Sequence, residues 1–322
     1  MQEQKQEQIP QETLAEAQKK IEAVLDNVET VIIGKRTCVE LVVLALLARG
    51  HVLIEDVPGV GKTSLVSAVA RSLDCGFKRI QFTPDLMPSD VTGFSIYNQG
   101  TGAFEFRPGA VMSNLVLADE INRASAKTQA ALLEAMEEKQ VTVDSHTYPL
   151  DEPFMVLATQ NPVESFGTYP LPDAQIDRFL LKLSMGYPSM EEERQIIHNG
   201  KTSRKKLHAV VSRQDVVELS NLAERVTVIP DLERYIVEIV TATRSHKNVN
   251  LGVSPRGSIA LLAAARVLAL MRGRNYVLPD DIKYLAPYVL AHRLSLSSEA
   301  RMNHITPKDL IAEILDSIIV PV

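Results

Sequence analysis

Only two cysteines, Cys38 and Cys75, occur in 322 residues, both in apolar-rich segments. That excludes a disulfide framework and predicts buried thiols in a reducing compartment. The seven histidines are scattered, without HxxxH or HExxH spacing, so no structural zinc is expected. No apolar run approaches the roughly 20 residues that span a bilayer. Met1 to Glu12 is polar, rich in Gln and Glu, and lacks the basic and apolar regions of a secretory signal. An excess of positive charge is also missing: 34 Lys and Arg against 40 Asp and Glu leave a net charge of −6. No global attraction to nucleic acid or to an anionic membrane follows. A cytoplasmic location is the simplest expectation.

What remains is ordinary globular composition, 45% hydrophobic and 23% charged, at a length that predicts about two domains. The most informative stretch runs from His51 to Ser64. An apolar segment ends in a Gly-rich turn and Gly61-Lys62-Thr63, then Leu65, Val66, Ala68, Val69 and Ala70 follow at helical spacing. Strand, loop and helix in that order place backbone N–H groups and a helix N-terminus around an anion. Lys62 can reach the β/γ-phosphates and the Thr63 hydroxyl can ligate Mg²⁺. The candidate nucleotide-binding set is Val57, Pro58, Gly59, Val60, Gly61, Lys62, Thr63 and Ser64. The strict pattern G-x-x-x-x-G-K-[ST] wants glycine at position 56, where this chain has Asp56; Gly59 and Gly61 still supply permissive backbone.

Along the chain, residues 1–12 read as a disordered tail. Leu14 to Val28 traces a helical face, and a turn at Ile33-Gly34-Lys35 precedes an apolar helix over Cys38 to Ala48. Strands are expected at Phe77–Phe82, Asn114–Ala118, Phe154–Ala158 and Phe179–Leu183, with a helix over Ser125–Glu138. Thr83–Gly109 reads as an inserted hairpin, with aromatics alternating on both sides of a Gly turn, and 140–148 as a second hairpin. Alternating helices and apolar strands imply an α/β core with a parallel sheet covered on both faces. From Met190 the chain reads almost wholly helical, which puts a domain boundary near 187–190: a core over 13–188 and an all-α domain over 189–322.

Leu115 to Asp119-Glu120 is an apolar strand ending in two carboxylates. Asp119 can hold Mg²⁺ and Glu120 can orient and deprotonate an attacking water. Asn161, at the end of the next buried strand, can position that water or bond the γ-phosphate; it is equally a turn residue before Pro162. Arg178 either pairs locally with Asp173 or Asp177, or acts as an arginine finger on a neighbouring subunit. Arg256 stands near a helix start, where it opposes the helix dipole unless an anion lies nearby; it reads as a lid residue touching bound nucleotide. Lys201–Lys206 and the trio Arg266, Arg272 and Arg274 read as solvated charge.

Taken together, Glu55–Thr63, Ala118–Ala124, Thr159–Pro162, Gly167–Pro172, Ala174–Phe179 and Ser254–Arg256 resemble the AAA+ ATPases, and among them the MoxR family. The likeness runs from about Val31 to Arg293. It implies an αβα core with a helical lid and bound ATP and Mg²⁺. It implies Walker A at Lys62 and Thr63, Walker B at Asp119 and Glu120, sensor 1 at Asn161, the finger at Arg178 and sensor 2 at Arg256. Ile33 and Gly34 match the segment that flanks adenine, and Arg123 is a candidate either for the subunit interface or for a salt bridge. The likeness further implies a homo-oligomeric ring, a hexamer, hairpins that face its pore, and a chaperone-like partnership with von Willebrand factor A-domain proteins. A nucleotide-gated scaffold, a metal-chelatase-like subunit and a nucleic-acid motor are the alternatives, the last disfavoured by the acidic charge.

Overall fold

The computed structural model describes residues 9–57, 59–161, 169–199 and 207–321. Pro58, the 162–168 stretch that begins the Gly167–Pro172 motif, and Lys201–Lys206 lie outside the described residues, as do 1–8. Two helices lead in, α1 (Gln11–Glu29) and α2 (Arg36–Leu47), joined by the expected turn at Ile33-Gly34. The expected tail to residue 12 is therefore shorter at its end: Gln11 and Glu12 open α1, and Ile9 is buried.

The core follows as β1 (Val52–Glu55), α3 (Lys62–Ser72), β2 (Phe77–Gln81), α4 (Pro88–Thr92), the hairpin β3 (Gly93–Asn98) and β4 (Ala103–Pro108), then β5 (Leu115–Asp119) and α5 (Ala126–Glu138). A second hairpin, β6 (Gln140–Val143) and β7 (His146–Pro149), precedes β8 (Met155–Gln160), α6 (Asp173–Ile176) and β9 (Leu181–Leu183). The remaining chain forms α7 (Met190–Asn199), α8 (Arg213–Glu224), α9 (Pro230–Ser245), β10 (Val249–Leu251), α10 (Pro255–Met271), α11 (Pro279–Val289), β11 (Ser295–Leu296), α12 (Ser298–Met302) and α13 (Pro307–Ser317).

Five strands form one sheet in the order β2-β5-β8-β1-β9, every neighbour parallel. Side chains alternate across it. Val52, Ile54, Leu115, Leu117, Met155, Leu157, Leu181 and Leu183 face a core shared with α1, α2, α3 and the C-terminal helices. Leu53, Ile80, Val116, Ala118, Val156 and Ala158 face the opposite core, which α4 and α5 close. Both faces are covered, so the inner strands β5, β8 and β1 are apolar over most of their length, whereas the edge strand β2 carries exposed Lys78, Arg79 and Gln81. The lid's α10 packs against α1 and α2, so lid and core share one hydrophobic interior. Two departures from the expected all-helical lid are small. β10 and β11 pair antiparallel, and α12 is a single turn beyond them. The short α4 and α6 also escape periodicity, because four or five residues carry too few repeats to read.

Candidate functional site

All five strands run the same way, so their C-terminal ends share one edge of the sheet. β1 delivers the Gly-rich loop there. Gly59 and Gly61 have φ of +87° and +95°, a left-handed backbone that favours glycine. Gly61 caps α3, so the helix N-terminus opens onto the loop. Lys62 Nζ donates across it to the carbonyls of Asp56 and Val57, at 3.1 and 3.0 Å. Thr63 and Ser64 occupy the first turn of α3.

Asp56 explains its own departure from the glycine pattern. Its carboxylate is buried and accepts from the backbone N–H groups of Val57, Met185 and Gly186 and from the Ser184 hydroxyl. It ties the entry of the loop to the segment after β9. The same segment meets the Ile33-Gly34 turn: Lys35 Nζ donates to the Tyr187 carbonyl, and a Cβ on Gly34 would collide with Glu192. The turn and the loop are thus held on one side of one connecting strap.

β5 and β8 bring the acids beside the loop. β8 lies between β5 and β1, so Asp119 and the loop strand stand about 10 Å apart across it. Asp119 is 9% exposed. One hydroxyl organises both carboxylate residues: Thr159 Oγ1 donates to Asp119 Oδ1 at 2.6 Å and accepts from the Glu120 N–H at 2.8 Å. Glu120 has φ +55°, ψ +50°, a conformation costly for a non-glycine residue and common at functional sites. Asn161, buried, directly follows β8 at the same edge.

Two partners on β2 were not foreseen. Arg79 donates from Nε and Nη2 to Asp119 Oδ2, at 3.1 and 2.6 Å, and Gln81 Nε2 donates to Glu120 Oε2 at 2.7 Å. Their signal was present, an i, i+2 polar pair on one face of a strand. What it lacked was the knowledge that β2 lies beside β5, with Gln81 in register with Asp119. Arg123 Nε lies 3.2 Å from Glu120 Oε2, one turn away in sequence, so it has an ion pair within its own chain.

Among the described residues no three His, Cys, Asp or Glu side chains cluster to cage a metal. One hydroxyl, Thr63, and one carboxylate, Asp119, fit a cation held chiefly by phosphate oxygens, as Mg²⁺ is. The Arg79 guanidinium on Asp119 marks the carboxylate as a place that demands positive charge.

Arg178 and Arg256 lie elsewhere. Arg178 stands before β9, and β9 runs parallel to β1 with Val52 opposite Leu181; Arg178 is therefore at the N-terminal edge of the sheet, one strand length from the loop. It pairs with neither Asp173 nor Asp177. Its Nη2 is 3.1 Å from Glu137 Oε2, and Arg256 Nη2 bonds the other oxygen of the same carboxylate. Arg256 thus shares Glu137 with Arg178, away from the chain's own loop. The cleft around them, about 250 Å³, is lined by Arg49, Arg178, Arg256 and Arg293 against Glu137 and Asp177.

Asp177 and Arg293 form the buried floor of this cleft. Arg293 Nε donates to Asp177 Oδ1 at 2.8 Å, and Ser254 Oγ donates to Oδ2 at 2.8 Å. Burial lowers the Arg293 pKa to about 10, against the opposing pull of Asp177. Burial, then the Arg293 charge, holds His292 well below its ordinary value. His51, in the lining of the cleft, accepts from the Val156 N–H at Nδ1, so Nε2 carries the proton toward the Met136 carbonyl; burial lowers its pKa to about 4. Arg272 and Arg274, expected as solvated charges, both bond the fully buried Asp281 at 2.7 Å.

A parallel sheet with a phosphate loop at one edge, paired acids beside it and a helical lid defines a fold of the P-loop nucleoside-triphosphatase class. The comparisons place it more closely. The ATPase family associated with various cellular activities (AAA) matches residues 51–181, and the AAA lid domain matches 241–314. Chaperone MoxR1 of Mycobacterium tuberculosis is 44% identical over 94% of this chain and 82% of its own. The uncharacterized protein YeaC of Bacillus subtilis is 55% identical over 92% of this chain and 94% of its own. The crystal structure of a candidate ATPase of Cytophaga hutchinsonii superposes with a TM-score of 0.91 at 42% identity, covering 97% of this chain and 98% of that one. The chain belongs to the MoxR family of AAA+ ATPases. No helix among the described residues is long and apolar enough to cross a membrane.

Proposed function

We propose that this chain is a Mg²⁺-dependent ATP hydrolase whose catalytic site is completed between subunits of a closed ring, a hexamer, and whose turnover drives remodelling of a protein partner. One observation carries it. Lys62, Asp119, Glu120 and Asn161 gather at the C-terminal edge of the sheet, and Arg178 and Arg256 at the N-terminal edge. Two such half-sites meet only if one subunit's arginine edge faces the next subunit's loop, which is the head-to-tail arrangement that closes rings. The arginine cleft supports this: four guanidinium groups against two carboxylates make a local positive excess on an acidic protein, suited to a polyphosphate.

In this mechanism the loop N–H groups of Gly59, Val60 and Gly61, with Lys62, bind the triphosphate, and Ile33 and Gly34 flank the base. Thr63 and Asp119 would hold Mg²⁺, which would supply charge neutralisation to the triphosphate. Glu120, held by Gln81, orients the attacking water and takes its proton, while Asn161 fixes the water or the γ-phosphate. Arg178 and Arg256 of the adjacent subunit meet the negative charge that builds on the γ-phosphoryl group.

The hairpins supply the output. β3–β4 exposes Phe94, Ile96, Tyr97 and Phe104, the last 75% exposed, and Phe106 stacks on Tyr148 of β6–β7 with ring centroids 4.0 Å apart. Movement in one hairpin is thereby passed to the other. A protein with a von Willebrand factor A domain is the partner that the family suggests the ring acts with; one relative carries the name chaperone. The test is steady-state ATP turnover per subunit against protein concentration. Turnover should rise with assembly and vanish in Arg178→Ala; turnover flat across the assembly range, or surviving that substitution, refutes the shared site.

A further inference from the structure

Glu137 stands in the last turn of α5, where no basic residue is present. A carboxylate there opposes the helix dipole. Arg256 stands in the first turn of α10, where no acidic residue is present, and it opposes that dipole too. Each charge is misplaced for its own helix and is satisfied by the other. Arg178 adds a second cation to the same carboxylate. Its two oxygens are thus divided between a guanidinium of the α/β core and one of the lid.

The neighbouring pair is built differently. The side chains of Arg293 and Asp177 are 2% and 20% exposed, and Ser254 completes the carboxylate. That contact joins lid to core through a largely buried ion pair. The Glu137 contacts are 30–44% exposed at every side chain and border an open cleft, so water and other anions can compete for the arginines.

We propose that Glu137 is a clamp that holds Arg178 and Arg256 together in the separate subunit and competes with the adjacent subunit's triphosphate for them. The inference rests on the intersubunit site proposed above. A triphosphate entering the cleft meets two cations already paired with the single carboxylate of Glu137, and its own negative charge repels that carboxylate. Assembly therefore requires an exchange: the arginines leave Glu137 for the phosphates while Asp177 and Arg293 keep the lid in place. Glu137 is a positioning residue, outside the catalytic set, and it sets the subunit concentration at which hydrolysis begins.

The experiment measures ATP turnover per subunit against protein concentration at saturating Mg²⁺ and ATP, for wild type, Glu137→Gln, Glu137→Ala and Arg178→Ala. Sedimentation velocity with a non-hydrolysable ATP analogue follows assembly independently. Removing two exposed ion pairs should lower the concentration at half-maximal turnover about 3- to 10-fold. The assembly midpoint should fall alike, and the plateau rate should stay within about twofold. A residue needed only for structure would instead depress the plateau. A midpoint that is unchanged or raised overturns the clamp, and so does a Glu137→Gln protein that fails to fold, because the clamp assigns Glu137 no part in stability. Arg178→Ala separates the two proposals: if it hydrolyses like wild type, the shared site fails; if it is inert while Glu137→Gln shows no shift, only the clamp fails.

Discussion

Mixing two inactive variants tests the division of the site between sheet edges. Glu120→Gln removes the base from the loop half, and Arg178→Ala removes a cation from the other half. An arginine finger is worth about 10³–10⁵ in rate, roughly 4–7 kcal/mol of barrier, so each variant alone should be nearly inert. In a random one-to-one mixture, a junction works when its loop half comes from an Arg178→Ala subunit and its arginine half from a Glu120→Gln subunit. That occurs at about one junction in four, so the mixture should recover about a quarter of the wild-type rate. Because Arg178 and Arg256 share Glu137, one subunit delivers both to the junction. Glu120→Gln with Arg256→Ala should therefore recover about a quarter as well, whereas Arg178→Ala with Arg256→Ala should recover nothing. If Arg256 instead served its own chain's nucleotide, that last mixture would regain about a quarter. Initial rates of phosphate release from co-refolded or exchanged subunits give the answer. Recovery in the double-arginine mixture, or none in the other two, refutes the geometry argued here.

Asp56→Gly restores the usual glycine but removes a buried acceptor of four hydrogen bonds from the loop entry and the strap after β9. It should cost about 2–4 kcal/mol, read as a lower urea midpoint; a neutral or stabilising change would show that the carboxylate is not a structural tie. Stability should also fall in mild acid. The folded-state pKa of His51 is about 4, below the unfolded value of about 6.5, so the unfolded chain takes up that proton first. The contribution is complete above about pH 6.5 and is lost as pH falls toward 4, by roughly 3 kcal/mol for this residue. Burial shifts His292 in the same direction. Urea unfolding at pH 7 and pH 5, with the His51 ring followed by NMR, tests this; a ring titrating near pH 6.5 in the folded protein would contradict it.

Much of this protein could be read from local pattern. The helices over 11–29, 230–245 and 255–271 declare themselves by apolar periodicity, and the loop, the acidic strand end and both hairpins by residue types at fixed short spacing. Such features depend on neighbours within a few residues, which the sequence itself places together. It also singled out the side chains to which the chemistry is here proposed to belong: Lys62, Thr63, Asp119, Glu120 and the two arginines. Only the tertiary structure decided what those groups face. Strand order put Arg79 and Gln81 beside the acids, β8 put Thr159 between them, and the parallel sheet sent Arg178 and Arg256 to the edge opposite the loop. Burial of Asp281 turned nearby Arg272 and Arg274 from expected surface charges into its partners, and long-range packing found for Asp56 a role that no spacing rule contains. Contacts between residues tens to more than a hundred positions apart depend on how layers stack, and no short window of sequence records that.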